Sequence, residues 1–225
     1  GQVAHVGKVT PRTRRLAALR ACLDPRLRAA LQELVGGTSQ TCRASPASDK
    51  AAGEFRFYSH QAEAIDAAVA DRRDVIVSTS TGSGKSLVYL AAVFEALLRD
   101  GGATAVLIFP TKALAQDQLR ALGRLTGALA AHGVTERELA CACLDGDTPP
   151  QERVRVRRVA RVVLTNPDML HSHVLPRHAE YSRLLGSLRC VVLDEVHVYR
   201  GAFGAHCACV LRRLRRLAAD EASGD

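Results

Sequence analysis

Gly84, Lys85 and Ser86 close a Gly/Ser/Thr loop that follows the apolar run Val75, Ile76, Val77 and precedes an apolar, helix-forming stretch from Leu87. Those types in that order suit one chemistry. Backbone amides of Thr81, Gly82, Ser83, Gly84 and Lys85 at a helix N-terminus cradle phosphate oxygens, the Lys85 ammonium reaches the β and γ phosphates, and the Ser86 hydroxyl takes Mg2+. A strand before and a helix after separate this loop from a chance match. One position departs from the general pattern: Thr79 stands where Gly or Ala is usual, so close backbone approach there has to tolerate a β-branched residue.

A second pair of residues completes that chemistry. Asp194 and Glu195 end the apolar run of residues 190–193, and two adjacent acids at the end of a buried strand are costly unless a cation offsets them. Mg2+-ATP supplies that cation. Asp194 would hold the ion, and Glu195 would orient and deprotonate an attacking water. Without the upstream loop, the same pair would read equally well as solvated carboxylates opening a helix.

The elements that must position these groups alternate along the chain. Short apolar runs at 75–77, 103–109, 139–144, 162–164 and 190–193 read as strands. Between and around them, helices are expected at 61–71, 87–98, 113–129, 149–159, after Pro167, and at 205–218. Over 149–159, Thr148 and Gln151 form a plausible capping box, although the alternation at 153–156 also fits a strand. This pattern is α/β: a three-layer parallel sheet covered on both faces, with ligands beyond the carboxyl ends of its strands. Every unusual polar cluster falls at such an end. The first 54 residues differ in composition and read as an N-terminal extension. It comprises short helices at 14–23 and 25–35, the second opened by Pro25 and ended by Gly36 and Gly37, and a polar linker at 38–53. The nucleotide-binding domain then occupies 55–225, with residues 220–225 expected to fray.

At 225 residues and 47% hydrophobic, the chain can bury one good core with an appendage but not two full α/β domains. Its net charge of +8, carried almost wholly by arginine, favours phosphate-rich partners, nucleic acid foremost. No apolar stretch reaches spanning length and the N-terminus lacks a signal-peptide layout, so an intracellular location, nuclear or cytoplasmic, is expected. The seven cysteines read as small core residues of a reducing compartment. Two basic runs, Arg153/Arg155/Arg157/Arg158 and Arg212/Arg213/Arg215/Arg216, read either as strand-tracking surfaces or as solvated helix faces.

Five motifs in order carry a family resemblance: Tyr58-Ser59-His60-Gln61, the loop 80–86, Pro110-Thr111-Lys112 with the following 113–119, Thr165-Asn166-Pro167-Asp168, and Asp194-Glu195-Val196-His197. Together they resemble motifs Q, I, Ia, Ib and II of superfamily 2 DEAD/DEAH-box-type helicases. The box with Tyr199-Arg200-Gly201-Ala202-Phe203-Gly204-Ala205-His206, and the tract 145–150, are similar to the YprA/MrfA-like DNA helicases and their RecQ-like eukaryotic relatives. The resemblance implies a RecA-like first motor domain in which Gln61, with Tyr58 near the base, reads adenine. Thr111, Lys112, Thr165, Asn166 and Asp168 line the sugar-phosphate track, and His197 couples the two sites. It further implies ATP-driven 3′-to-5′ unwinding of single-stranded or forked DNA, in repair, by a parent with a second RecA-like domain and a zinc-binding C-terminal region. With these 225 residues alone, the expectation is weak ATP binding, little or no hydrolysis and no unwinding, because arginine fingers are worth roughly 10³–10⁵ in rate. An RNA helicase motor and a non-catalytic nucleic-acid-binding module are the alternatives.

Overall fold

The four residues of β5 (Val162–Thr165) are all buried, as a strand needs to be when it has neighbours on both edges and helices on both faces. In the computed structural model, which describes residues 16–36, 57–79 and 83–223, β5 lies inside a four-stranded sheet of order β4-β5-β3-β6. Its partners are β3 (Thr104–Ile108), β4 (Cys141–Cys143) and β6 (Leu188–Leu193), and every pairing is parallel. The α/β parallel sheet expected from the alternating runs is therefore present. The chain divides into two compact units, Gly1–Arg99 and Asp100–Asp225.

In the second unit, β3 is followed by α4 (Lys112–Ala131), β4 by α5 (Pro150–Val159), and β5 by α6 (Pro167–Met169), a π turn, a 3₁₀ stretch and α7 (Ser182–Gly186). The chain steps leftward from β3 to β4 and then rightward to β5 and β6. With right-handed crossovers, that reversal puts α4 on one face and α5 with α7 on the other. The second face is packed from Val106, Ile108 and Val163 of the sheet, Val156 of α5, Leu184 and Leu185 of α7, and Val210, Leu214 and Leu217 of α8 (Gly201–Ser223). The expected helix over 149–159 is α5, but Thr148 does not cap it. Its hydroxyl instead bonds Asp145, at 2.8 Å from the amide and 3.1 Å from Oδ1, closing the turn after β4. Helix α8 begins four residues earlier than expected and runs on through 220–223, positions expected to fray.

One buried cation ties the opposite end of this sheet together. Arg161 is 6% exposed, and its guanidinium donates to the carbonyls of Ala103 (3.0 Å), Glu138 (3.4 Å) and Asp100 (2.6 Å). Burial holds its pKa below the ordinary arginine value. Backbone carbonyls that the strand ends leave unpaired are thereby satisfied.

In the first unit, α2 (Ser59–Ile65) continues as a π turn (Asp66–Ala70), and α3 (Lys85–Arg99) buries Val88, Ala91, Val93, Phe94 and Leu97, covering more than one side as expected. Helix α1 (Pro25–Gly36) matches its expected span. The helix expected at 14–23 is absent from 16–23: β1 (Leu16–Ala17) pairs antiparallel with β2 (Phe57–Tyr58) instead. The cause is a buried carboxylate, since Asp66 accepts the amides of Ala21 (2.8 Å) and Arg20 (3.2 Å) and so captures donors a helix would have used. Glu95, 2% exposed, accepts the amide of Asp24 at 2.8 Å and pairs with Arg99.

The run 75–77, expected to be a buried strand, is irregular, and Ile76 is half exposed. Among the described residues no strand offers it a ladder, and an apolar run gains strand geometry only from a neighbour. Cys207 is buried as expected, but Cys22 and Cys209 are exposed. Cys141 and Cys143 have thiols pushed up to about 12, by burial in both cases and also by the Asp145 charge for Cys143, so they are inert as nucleophiles. The expected linker, 38–53, lies outside the described residues.

Candidate nucleotide and nucleic-acid sites

In the first unit the loop chemistry centres on the turn into α3. Gly84 adopts φ +76°, and a Cβ there would lie 2.4 Å from Gln61 Nε2. Left-handed backbone and close approach both demand glycine. The Gln61 amide group is spent on this turn: Nε2 donates to the carbonyls of Ser83 and Gly84, each at 3.3 Å, and Oε1 accepts the Tyr58 amide at 3.1 Å. His60 Nε2 donates to Ser83 O at 3.2 Å, and its ring stacks on Tyr58 with centroids 5.9 Å apart. Gln61 is 4% exposed. It braces the phosphate loop from the start of α2. His60, which sequence reasoning passed over, shares that work; its place beside Gln61 at the start of α2 was the available signal.

Lys85 Nζ donates to Thr79 O at 2.9 Å, and the Thr79 and Ser83 hydroxyls share a short hydrogen bond. The lysine is thus folded back along its own loop. Ser86 lies in the first turn of α3, partly exposed. Thr81 and Gly82 fall outside the described residues. A left-handed glycine, a lysine and a hydroxyl at one helix N-terminus suit a polyphosphate with its cation. Replacing Gly84 by alanine should cost about 1–2 kcal/mol of stability, measured by denaturant unfolding, because the added Cβ forces either left-handed strain or loss of the Gln61 brace.

In the second unit, the polar clusters all follow carboxyl ends of parallel strands, where α/β sheets bind ligands. After β6, the Asp194 amide donates to Ile108 O at 3.0 Å, continuing the ladder, and Asp194 Oδ1 accepts the Glu195 amide at 2.8 Å. Glu195 itself sits at φ 50°, ψ 43°, a left-handed conformation that a glutamate holds only under strain. Its carboxylate lies 3.2 Å from His197 Nδ1, and both side chains are exposed.

After β3, Thr111 caps α4 by accepting the Leu114 amide at 3.3 Å, and the exposed Lys112 pairs with Asp147. That pairing raises the lysine's pKa above its usual value and keeps it charged. After β4, Asp145 anchors the turn, accepting Gln116 Nε2 and the Asp147 amide, each at 2.9 Å. Burial alone would raise the Asp145 pKa, but the hydrogen bonds from Gln116, Asp147 and Thr148 prevail and hold it below the ordinary range. After β5, Asn166 caps α6 by accepting the Met169 amide at 2.8 Å, while Asp168 is exposed. Thr165 departs from its expected role. It is fully buried and its hydroxyl donates to Leu144 O at 2.7 Å, so it holds β5 to the end of β4 and has no side-chain group to offer a phosphate.

The sequence pattern described as DEAD/DEAH box helicase matches residues 58–223. The chain belongs to that family. Among curated relatives, the helicase chain is 49% identical over 164 residues to the ATP-dependent helicase HRQ1 of Saccharomyces cerevisiae, covering 72% of this chain and 14% of that one. It is 34% identical over 215 residues to the uncharacterized ATP-dependent helicase YprA of Bacillus subtilis, covering 96% and 25% respectively. Its fold matches the crystal structure of the DUF1998 helicase MrfA bound to DNA and AMPPNP with a TM-score of 0.76 at 34% identity, covering 95% of this chain and 26% of that one. The helicase chain thus spans about a quarter or less of the length of these relatives. Among its described residues, no helix is long and apolar enough to cross a membrane.

Proposed function

We propose that this chain is the ATP-binding motor unit of an ATP-dependent DNA helicase, with residues 55–225 as the motor domain and 1–54 as its N-terminal extension. The observation that carries the reading is the left-handed Gly84 turn at the head of α3, braced by Gln61 and His60 and followed at once by Lys85 and Ser86. A glycine turn held from outside at the head of a helix is suited to gripping a polyphosphate.

In this reading Lys85 would leave the Thr79 carbonyl for the β and γ phosphates, and Ser86 and Asp194 would hold Mg2+. Glu195 orients the water and takes its proton, with His197 beside it. Bound Mg2+ neutralises charge on the phosphates. Thr111, Lys112, Asn166 and Asp168 contact the sugar-phosphate backbone of one strand. Lys112 is exposed and its ion pair with Asp147 is weak, so a phosphate can take the carboxylate's place. The names of HRQ1 and YprA and the AMPPNP in the MrfA crystal support ATP dependence, and the DNA in that crystal supports the choice of nucleic acid. The resemblance adds 3′-to-5′ movement and a role in repair.

The test is coupled binding. Fluorescently labelled single-stranded DNA and RNA of one sequence are titrated with the chain, with and without a non-hydrolysable ATP analogue and Mg2+. The motor reading expects the analogue to change DNA affinity at least severalfold, DNA to outcompete RNA, and Lys85→Ala to remove the nucleotide effect while leaving nucleotide-free DNA binding intact. Steep salt dependence with indifference to nucleotide would replace the motor with a passive nucleic-acid-binding module.

A further inference from the structure

The two basic runs of the sequence have different fates. On α5, Arg153 donates to the carbonyls of Thr148 (2.8 Å) and Gly146 (3.1 Å), Arg155 pairs with Glu152 at 3.4 Å, and Arg157 pairs with Glu180 while its guanidinium lies 5.9 Å from the centre of the Tyr181 ring. Arg153 and Arg157 tie α5 to the segments around it, and Arg155 has a carboxylate partner on its own helix. On α8, Arg212, Arg215 and Arg216 are exposed, and among the described residues no carboxylate lies within ion-pair range of any of them. Cations at i, i+3 and i, i+4 on one helix repel one another and weaken the helix by roughly 0.2–0.5 kcal/mol per pair. Asp220, at i+4 from Arg216 on the same helix, offsets that repulsion only in part, so a polyanion from outside is the natural counterpart.

The basic face also adjoins the candidate strand track. Gly204, in the first turn of α8, stands where a Cβ would meet Tyr199 O at 2.5 Å, letting the helix start close against the turn after the acidic box. His206, two residues later, has Nε2 3.9 Å from Asp168 Oδ1 and packs edge-on against His171 with ring centroids 4.8 Å apart. From there Arg212 and Arg216 lie roughly 9 and 15 Å further along the helix axis. The exposed stripe reads Ala205, Ala208, Cys209, Arg212, Arg215, Arg216, Ala219, Asp220. It contains no aromatic side chain. Single-stranded nucleic acid is held by a basic groove combined with aromatic stacking platforms; a stripe of arginines without aromatics lacks those platforms and depends mainly on backbone phosphates, which suits a strand whose bases are already paired.

We propose that the Arg212/Arg215/Arg216 face of α8 binds the phosphate backbone of duplex nucleic acid adjoining the single strand held after β3 and β5. This rests on the helicase reading for its strand track, but not for the arginine face itself.

The experiment compares the chain with the variant Arg212→Gln/Arg215→Gln/Arg216→Gln on two ligands, a single strand and the same strand as a tail on a duplex, across a salt series. For the tailed duplex the variant should lose roughly 2 to 3 from the slope of log affinity against log salt, and roughly tenfold or more in affinity near 0.1 M salt. The single strand should bind both proteins alike. The corresponding triple lysine variant should keep the duplex affinity, which separates charge from folding, and Arg216→Gln alone should lose about 1 in slope if the triple variant does not fold. Unchanged duplex binding, or equal loss on both ligands, overturns the proposal. Failure of the parent chain to bind the single strand counts against the motor reading; the arginine face is still judged by the duplex slope.

Discussion

In a helicase of the relatives' full length, Glu195→Gln should lower ATP turnover by roughly 10²–10⁴ while leaving ATP affinity within a few-fold, since general-base catalysis contributes about that much and the amide keeps size and hydrogen-bonding shape without accepting a proton. The backbone sharpens the expectation. Glu195 is left-handed at φ 50°, its amide is held by Asp194 Oδ1, and its carboxylate faces His197. A residue chosen for stability alone would be Gly or Asn at that conformation. Glu195→Gly should therefore stabilise this chain by up to about 1 kcal/mol in denaturant unfolding while abolishing turnover in the long protein. Stability and activity moving in opposite directions would mark strain kept for chemistry. Unaltered turnover in Glu195→Gln would remove the residue from that role, and lost stability in Glu195→Gly would remove the strain argument.

Much of this arrangement was legible because it follows from short-range chemistry. Strand runs rich in Val, Leu and Ile, helices opened by Thr111 or by Asn166 with Pro167, and polar turns between them could be placed within a few residues. The sheet order β4-β5-β3-β6 brought four of the five expected strands together. What escaped was decided by partners distant in sequence. Residues 75–77 have a strand's composition, but a strand is a relation between two segments, and no described segment supplies the second. Thr165 carries the type and position of a nucleic-acid contact, yet its hydroxyl is claimed by Leu144, 21 residues away. Gln61 was legible as functional but not as a brace, because its partners Ser83 and Gly84 lie on the far side of the irregular run. Helix propensity favoured 14–23, and tertiary hydrogen bonding overrode it.

That override sets up the second large effect. Asp66 is 5% exposed and accepts two amides, from Ala21 at 2.8 Å on Oδ1 and from Arg20 at 3.2 Å on Oδ2, with the Arg20 guanidinium 3.4 Å from Oδ2. In Asp66→Asn one of the two oxygens becomes an NH2 group. Whichever way the amide is turned, one backbone N–H then faces another donor, and a buried donor left without an acceptor costs about 1–3 kcal/mol. Loss of the charge-assisted strength of the remaining bond adds to this, so about 2–4 kcal/mol is expected. The loss should be local before it is global, because the amides concerned tie down a short segment that otherwise holds on through the two-residue pairing of Leu16–Ala17 with Phe57–Tyr58 and the buried side chains of Ala21 and Leu23. Hydrogen exchange should show protection falling at residues 16–23 in Asp66→Asn, with β3, β5 and β6 of the second unit unchanged. Uniform loss across both units would mean that Asp66 supports the whole molecule. No loss at 16–23 would mean that burial of Ala21 and Leu23 alone fixes the segment, and the carboxylate would no longer explain why residues 16–23 form no helix.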